Sequence, residues 1–595
     1  MKRRRSAELR RKAVRRVSLG RGDPGRRLGI SLLCIIFVLS LFAGRLVQLQ
    51  GLESAAYKQL VKKEQITTIP LTAVRGSITA ANGQTLAMTV QTYTVVADPG
   101  EMSAAQQVQV AQALAGPLNT TASAIESQLA NPTSPDYQVL AKGVPADTGN
   151  KINAENLPEI TLDSTYTRDV TPDGESAADV LGFTNSAGDG VGGIEQEFNA
   201  LLSGHDGSEQ VETGINGEPI PLAGEKVTPA VNGESVKLTI VPALQWQAEQ
   251  TCKERVAETH AKSCTVVIIQ PKTGYILAMA QWPTYTEATS AYPTNLALQD
   301  VFEPGSTAKV ITAAAAFEHG GQTPMSAYNI PYAINEGGLL IHDAEYSPDE
   351  RYTIAGIIAN SSNVGMAQVA THISAALQHQ YLSAFGLGQL TGVGLPGESP
   401  GILHPLSQYW ESLKYTLAYG QGVDATALQM AEVYATLANG GVHVTPTIVA
   451  GVTNSSGHYT PTAAGATQRV VQAKTASELI KILQQVPGVD EEADEPWGII
   501  PGYAIAAKTG TSSESGASCP DSLCEYGSSY IGMGPGNDPQ VVVAVNVQDP
   551  SKANDDYFGD VVAGPVFYQV MKAALATLEI PPSDYQVPYV RLNAP

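Results

Sequence analysis

Ser306 and Lys309 stand three positions apart in Glu303-Pro304-Gly305-Ser306-Thr307-Ala308-Lys309-Val310. A serine hydroxyl is a weak nucleophile at neutral pH and needs a base within reach. A lysine can be that base only as the free amine, so burial or a second cation must drive its pKa down. Alone the pattern says little, because Ser-x-x-Lys on a helix is usually a solvated pair. Two further patterns follow in order, Ser361-Ser362-Asn363 and then Lys508-Thr509-Gly510-Thr511. Singly, the first is an ordinary helix N-cap and the second a strand end before a turn. Together with Ser306 and Lys309 they supply hydroxyls, an amide and the second cation that an activated serine requires.

Each group needs an element to hold it. Residues 308–319 are good helix formers closed by Gly320-Gly321, which puts Ser306 in the first turn. Lys309 then shares a face with Ser306, and the helix N-terminus adds positive potential where oxyanion charge would build. Helices are expected over 353–360 and 364–373, with Ser361-Ser362-Asn363 between them. A strand over 503–511 carries Lys508-Thr509-Gly510-Thr511, strands over 528–534 and 540–547 continue an antiparallel meander, and 561–578 closes as a helix. Residues 265–281 read as a hairpin around Gln270-Pro271-Lys272-Thr273-Gly274. This second Lys-Thr-Gly is turn chemistry. Residues 415–439 are Gly-broken and then helical, and the acidic stretch 486–497 reads as a solvated surface loop. Helices packed on an antiparallel sheet make this an α+β protein.

Upstream, 77–99 places Asn82-Gly83 between alternating apolar segments, a hairpin signal. Helices are expected over 103–115, 122–130 and 195–202, and 234–250 runs from strand to helix, which sets a domain boundary near 235. Gly188-Asp189-Gly190-Val191-Gly192-Gly193 formally fits a dinucleotide fingerprint, but a polar, loop-like stretch precedes it and no βαβ unit surrounds it. Its glycines serve backbone turns.

At 595 residues, 43% hydrophobic and 16% charged, the chain is globular and too long for one core. Residues 1–27 carry twelve Lys/Arg against two acids, so with a formal net charge of −21 the remainder carries −31. A basic tail before an apolar run is a topology signal, not a nucleic-acid footprint. Residues 28–44 lack any charge, and with the flanking turn to 48 they can span a bilayer. No Ala-x-Ala cleavage site follows, so an uncleaved anchor is expected, tail in the cytoplasm and all beyond about residue 50 outside. Residues 49–65 read as a short polar helix leaving the membrane. Cys34 lies within the anchor, whereas Cys252, Cys264, Cys519 and Cys524 lie where disulfides persist. Three connectivities are open to four cysteines. Local pairs, Cys252 with Cys264 and Cys519 with Cys524, are favoured over buried thiols or zinc.

The three motifs are the signature of penicillin-binding proteins and class A β-lactamases, and the chain resembles class B penicillin-binding proteins, the transpeptidases that crosslink bacterial peptidoglycan. Arg45 to Gln50 resembles the family's membrane exit. Arg75-Gly76-Ser77-Ile78, Asn82-Gly83, Leu86-Ala87, Gly193-Ile194-Glu195 and Phe198 resemble its pedestal. Gly392 to Glu398, Gly420-Gln421-Gly422 and Ala438-Asn439-Gly440-Gly441 resemble its transpeptidase domain. Ala80-Ala81 replaces a usual Asp-Arg and Val241 a common Asp, both away from the three motifs. The resemblance implies a cytoplasmic tail (1–27), a transmembrane helix (28–48), a pedestal of the dimerisation type (49–235) and a transpeptidase domain (236–595).

It further implies that Ser306 attacks the carbonyl between the two terminal D-alanines of a stem peptide while Lys309 takes its proton. Lys508 keeps Lys309 neutral, Ser361 relays a proton to the leaving amine, and Asn363 binds the donor peptide. Thr509 and Thr511 serve the terminal carboxylate, and Gly510 admits the substrate backbone. The backbone N–H groups of Ser306 and Thr511 form the oxyanion hole. A second stem peptide's amine then displaces Ser306, and β-lactams acylate the same serine. No cofactor or metal is implied. The implied partners are stem peptides, β-lactams, a membrane-embedded glycan-strand polymerase and other division proteins. Septal synthesis is the expected role, with wall elongation as the alternative. A D,D-carboxypeptidase or β-lactamase would share the motifs but use water as acceptor. A β-lactam sensor would need more than 27 cytoplasmic residues, and no glycosyltransferase motif precedes 235.

Overall fold

The computed structural model describes residues 24–52, 66–170, 176–212, 226–284, 294–344, 350–492, 496–513, 526–551, 557–582 and 585–595. Two compact units stand out, Met1–Leu71 with Gly207–Pro229, and Thr72–Asp206 with Ala230–Pro595. In the first, the apolar helix Pro24–Val47 begins four residues before the expected span, since Arg26 and Arg27 continue the helix. The stretch Gly25–Gly51 is long and apolar enough to cross a membrane. Gln48–Leu52 adds a π-helical turn, and most of the expected polar helix at 49–65 lies outside the described residues. The strand Ile66–Leu71 pairs antiparallel with Gly207–Glu212, and that strand with Lys226–Thr228.

In the second unit the Asn82-Gly83 turn joins Ile78–Thr79 to the long strand Thr85–Ala97, which pairs with Ile160–Val170 and Gln138–Pro145. Helices Ala104–Ala115 and Ala122–Ala130, capped by Ser103 and Thr121, bury Val110, Leu114, Ile125 and Leu129 against Val95 and Ala97. The glycine-rich run makes turns, as expected: a Cβ on Gly193 (φ +52°) would lie 2.2 Å from the Val180 carbonyl oxygen. The two motifs Arg75-Gly76 and Gly193-Ile194-Glu195 meet in one buried cluster. Arg75 Nη2 lies 2.6 Å from Glu195 Oε2, and Arg168 Nε lies 2.7 Å from Glu195 Oε1.

The sheet does not stop at 235. Ile78–Thr79 pairs parallel with Ser235–Leu238, which pairs antiparallel with Val449–Thr453. One apolar core likewise joins Ile78 and Val236 to Ala314 and Leu428. Among the elements after it are α1 (Pro242–Thr259), β1 (Ser263–Gln270), β2 (Tyr275–Trp282), α2 (Lys309–His319), α3 (Ile354–Ala359), α4 (Asn363–Ala370), α5 (Ala427–Ala438), α6 (Val486–Glu492), β3 (Ala506–Ser513), β4 (Tyr526–Gly534), β5 (Val541–Gln548) and α7 (Gly559–Thr577). The strands form an antiparallel sheet in the order β2-β1-β5-β4-β3, which leaves β3 at an edge. Side chains alternate across it: Val266 and Ile268 enter a core with α1 and α7, and Val267 and Ile269 the core shared with α5.

Val241, which stands where an Asp would cap α1, makes no side-chain cap, and Pro242 opens the helix instead. The Cys252–Cys264 disulfide ties α1 to β1, with Cα atoms 5.3 Å apart. Cys519 and Cys524 lie outside the described residues. Lys272-Thr273-Gly274 is a turn, as expected: Lys272 reaches Asp538 at 3.1 Å in an exposed pair, and Gly274 has φ +71°. The described part of the acidic stretch 486–497 is not a solvated loop. Val486 is fully buried and starts α6, whose Asp490 is 8% exposed and accepts a hydrogen bond from the Tyr530 hydroxyl at 3.2 Å.

Helix α5 is buried along its whole length and holds a carboxyl group, Glu432, that receives His443 Nε2 at 3.1 Å. Burial, helped by the charge of Glu398, pushes that carboxyl up to about 7. Its folded pKa is above the unfolded one, so its contribution to stability is full below the usual carboxylate range and is lost as pH rises through about 7. Glu432→Gln keeps the acceptor for His443 and removes the ionisation. It should stabilise the protein at pH 8 by on the order of 2 kcal/mol and by much less at pH 5. Thermal unfolding in detergent at the two pH values checks this, and a difference that does not change with pH would contradict it.

Candidate functional site

Ser306 lies in a 3-10 turn, Gly305–Ala308, that runs directly into α2. The tight turn differs from the expected first turn of an α-helix, and its cause is local. Gly305 takes φ +52°, and its backbone approaches β3 so closely that a Cβ there would lie 2.8 Å from the Thr511 carbonyl oxygen. The Gly305 N–H donates to the Gly420 carbonyl at 3.0 Å, and the Gly422 N–H donates to Glu303 Oε1 at 2.7 Å. The Gly420-Gln421-Gly422 motif thus braces the turn. A Cβ on Gly420 (φ +84°) would sit 2.1 Å from the Gly305 carbonyl oxygen. From α5, the Tyr434 hydroxyl donates to the Thr307 carbonyl at 3.0 Å, and from β3 the Ser512 hydroxyl donates to the Glu303 carbonyl at 2.6 Å.

Lys309 and Lys508 are both 0% exposed, and both point at one residue. Lys309 Nζ donates to the Ser361 carbonyl oxygen and lies 3.4 Å from Ser361 Oγ. Lys508 Nζ lies 2.9 Å from the same Oγ and also reaches the Thr509 carbonyl at 3.0 Å and Thr509 Oγ1 at 3.2 Å. Ser361 holds this position in the left-handed region, at φ +58°, a conformation that non-glycine residues adopt only when surroundings impose it. The next residue is the true N-cap of α4: Ser362 Oγ accepts the Gly365 N–H at 2.9 Å. The capping reading of Ser361-Ser362-Asn363 is thus met by Ser362, which leaves the Ser361 hydroxyl facing the two amines.

Burial drives the Lys309 amine well below the ordinary lysine range, the charge of Lys508 drives it further, and Asp343 opposes both. Burial also lowers Lys508, but Asp490 and Asp560 hold it up, to about 8. Lys508 faces two carboxylates, whereas Lys309 faces one carboxylate and a cation. Of the two amines, Lys309 is therefore the one pushed further toward its neutral form.

Thr509 and Thr511 are half-buried on the edge strand. The Thr511 hydroxyl oxygen accepts the Gly559 N–H at 3.0 Å, so toward a ligand it acts as a donor. Gly510 is the close-approach position. A Cβ there would meet Ser529 Oγ at 2.4 Å and the Pro304 carbonyl oxygen at 2.9 Å. The structure thus gathers Ser306, Lys309, Ser361, Lys508, Thr509, Gly510 and Thr511 around α2 and β3, with Asn363 opening α4 beside Ser361. Cys252 and Cys264 serve the α1–β1 packing instead. Sequence reasoning missed Asp343, Tyr434, Asp490 and Asp560, which reach the site from distant parts of the chain. An acid inside the apolar start of α6 was the one signal available for Asp490. Among the described residues, no group of His, Cys, Asp or Glu is placed to hold a metal ion.

Residues 264–572 match the penicillin-binding protein transpeptidase domain and 70–238 the penicillin-binding protein dimerisation domain. The penicillin-binding protein PbpB of Mycolicibacterium smegmatis is 30% identical, over 95% of this chain and 92% of its own. The peptidoglycan D,D-transpeptidase FtsI of Escherichia coli is 33% identical, over 92% of this chain and 91% of its own. Among solved structures, penicillin-binding protein 3 of Mycobacterium tuberculosis in complex with ampicillin aligns with a TM-score of 0.67 at 27% identity, over 89% of this chain and all of that one. With two family domains in tandem and relatives aligned along nearly its whole length, the chain belongs to the class B penicillin-binding proteins.

Proposed function

We propose that the protein is a peptidoglycan D,D-transpeptidase working through an acyl-serine ester at Ser306. The observation that carries this is the convergence of two fully buried lysine amines on Ser361 Oγ, one of them from Lys309, three positions after Ser306. Lys309, neutral because it is buried beside Lys508, takes the Ser306 proton as the oxygen adds to the D-Ala-D-Ala carbonyl. The oxyanion is received by the N–H groups of Ser306 and Thr511, which the Gly305–Thr511 contact supports by bringing turn and strand together. A donor of this kind is typically worth about 3 kcal/mol in the transition state. Ser361, bridging both amines, carries the proton to the leaving D-alanine. The donor peptide lies along the unpaired edge of β3 between Asn363 and Thr509, its carboxylate on the Thr509 and Thr511 hydroxyls and the Lys508 charge. An amine of a second stem peptide then takes the acyl group, forming the crosslink and freeing Ser306. β-Lactams acylate Ser306 by the same first step.

The division of labour follows the family. Residues 1–27 lie in the cytoplasm, 28–48 span the membrane, 49–235 form the pedestal and 236–595 the catalytic domain outside. The tail's +10 charge and the domain matches support this. The relatives named PbpB and FtsI support septal rather than elongation synthesis; a membrane glycan-strand polymerase and other division proteins are the partners that this reading calls for.

Wild-type protein should label covalently with a fluorescent penicillin and Ser306→Ala should not. Labelling that survives in Ser306→Ala would sink the assignment. A fluorescent fusion should gather at the septum, and side-wall signal would favour elongation. Acylation should also rise with pH as Lys309 loses its proton and fall as Lys508 loses its own through about 8. Lys508→Arg, whose guanidinium does not titrate in this range, should lose the falling limb in whatever activity remains. A limb near pH 8 that persists in that variant would assign it to another group.

A further inference from the structure

Asp343 follows the hairpin Ala333–Glu336 with Leu339–His342 and reaches the site from outside all three motifs. One oxygen, Oδ1, accepts the backbone N–H groups of Asn363 at 2.5 Å and Val364 at 3.0 Å. The other, Oδ2, accepts the Ser362 hydroxyl at 2.7 Å. A single carboxylate thus binds the first turn of α4, where unpaired N–H groups and the helix dipole favour a negative charge. Ser361 sits immediately before these three contacts, in its left-handed conformation. Fixing residues 362–364 on one side and the end of α3 on the other leaves Ser361 no room to relax to an ordinary backbone geometry.

We infer that Asp343 is a positioning residue of the acylation reaction: it pins the first turn of α4 so that Ser361 bridges the two lysine amines and Asn363 faces the donor peptide. This rests on the transpeptidase reading above. Asp343 has a second, electrostatic effect, since its negative charge partly offsets the lowering of Lys309 by burial and by Lys508. The charged groups acting on this pair are Lys508 and Asp343 on Lys309, and Asp490 from α6 and Asp560 from α7 on Lys508. Next to Asp343, the exposed His342 places Nδ1 2.8 Å from the Asp343 carbonyl oxygen.

The test is the rate of acylation by a fluorescent penicillin as a function of pH, in full-length protein in detergent. Asp343→Asn removes the charge and two acceptor sites. It should acylate about 100-fold more slowly, the scale of a displacement near 1 Å, while still labelling Ser306 to completion. Its rising limb should move to lower pH, because the carboxylate that held the Lys309 pKa up is gone. Asp343→Glu keeps the charge and displaces the contacts, so its rate should fall with the rising limb near the wild-type position. This second variant keeps the test decisive if the first does not fold. A wild-type rate in either variant overturns the inference, and so does an unshifted limb in Asp343→Asn. Wild-type protein that is not labelled at Ser306 overturns the transpeptidase reading itself, a distinguishable result.

Discussion

Two lysine amines without solvent access share one serine oxygen, and much of the surrounding structure follows from that. Placing two ammonium ions side by side in a buried site costs far more than their hydrogen bonds return. Burial lowers both amines, and the carboxylates decide which of them is pushed further toward neutrality. Asp490 and Asp560 act on Lys508, and among the carboxylates of the described residues Asp343 acts on Lys309. The asymmetry is built by elements far apart in the chain: a hairpin end, a short helix after residue 486, and the start of the C-terminal helix. In the proposed reaction, proton transfer from Ser306 to Lys309 creates a charge beside Asp343, which opposes the lowering of that amine.

The nucleophile turn is held by backbone, not by side-chain bulk. Gly305, Gly420 and Gly510 stand where a Cβ would lie 2.1–2.9 Å from a neighbouring backbone oxygen. Three chain segments can therefore close on each other until only hydrogen atoms separate them. Positive φ at Gly305 and Gly420 makes the same residues necessary for conformational reasons. Tyr434 and Ser512 fix the carbonyls on either side of Ser306. A nucleophile set in such a turn does not need to be found by a flexible side chain. Preorganisation of this kind lets dipoles act on the oxyanion without rearranging.

The grouping of the candidate residues was legible in the sequence because they come as residue types at short spacing: Ser306 and Lys309, Ser361 and Asn363, and Lys508 to Thr511. The elements that carry these residues were legible too, since strong periodicity and clear stops bound them. Electrostatic tuning was not legible. Nothing local distinguishes Asp343 or Asp560 from any surface acid, as their meaning comes from contacts some 20 to 50 residues away or more. The stretch 486–497 misled for the same reason. Its acidic composition reads as solvated, and only the burial of Val486 and the Tyr530 hydroxyl make Asp490 an interior residue. The boundary near 235 shows a different limit. Composition and pattern change there, yet backbone pairing runs across it from Ile78–Thr79 to Ser235–Leu238 and on to Val449–Thr453.

The cluster of Arg75, Arg168 and Glu195 poses the same electrostatic problem and solves it in the opposite way. Glu195 is 0% exposed and each of its oxygens meets a guanidinium, at 2.6 and 2.7 Å. Burial and the charge of Arg75 lower Arg168, but Glu195 raises it, and a guanidinium does not give up its proton in proteins. Paired guanidinium and carboxylate groups held this way suit a structural joint between Arg75-Gly76 and Gly193-Ile194-Glu195. A lysine can be brought to neutrality by burial, so the same cost there becomes a usable base. In the proposed mechanism, the choice of Lys at 309 and 508 and of Arg at 75 and 168 therefore sets groups that burial can bring to neutrality apart from groups held as ion pairs.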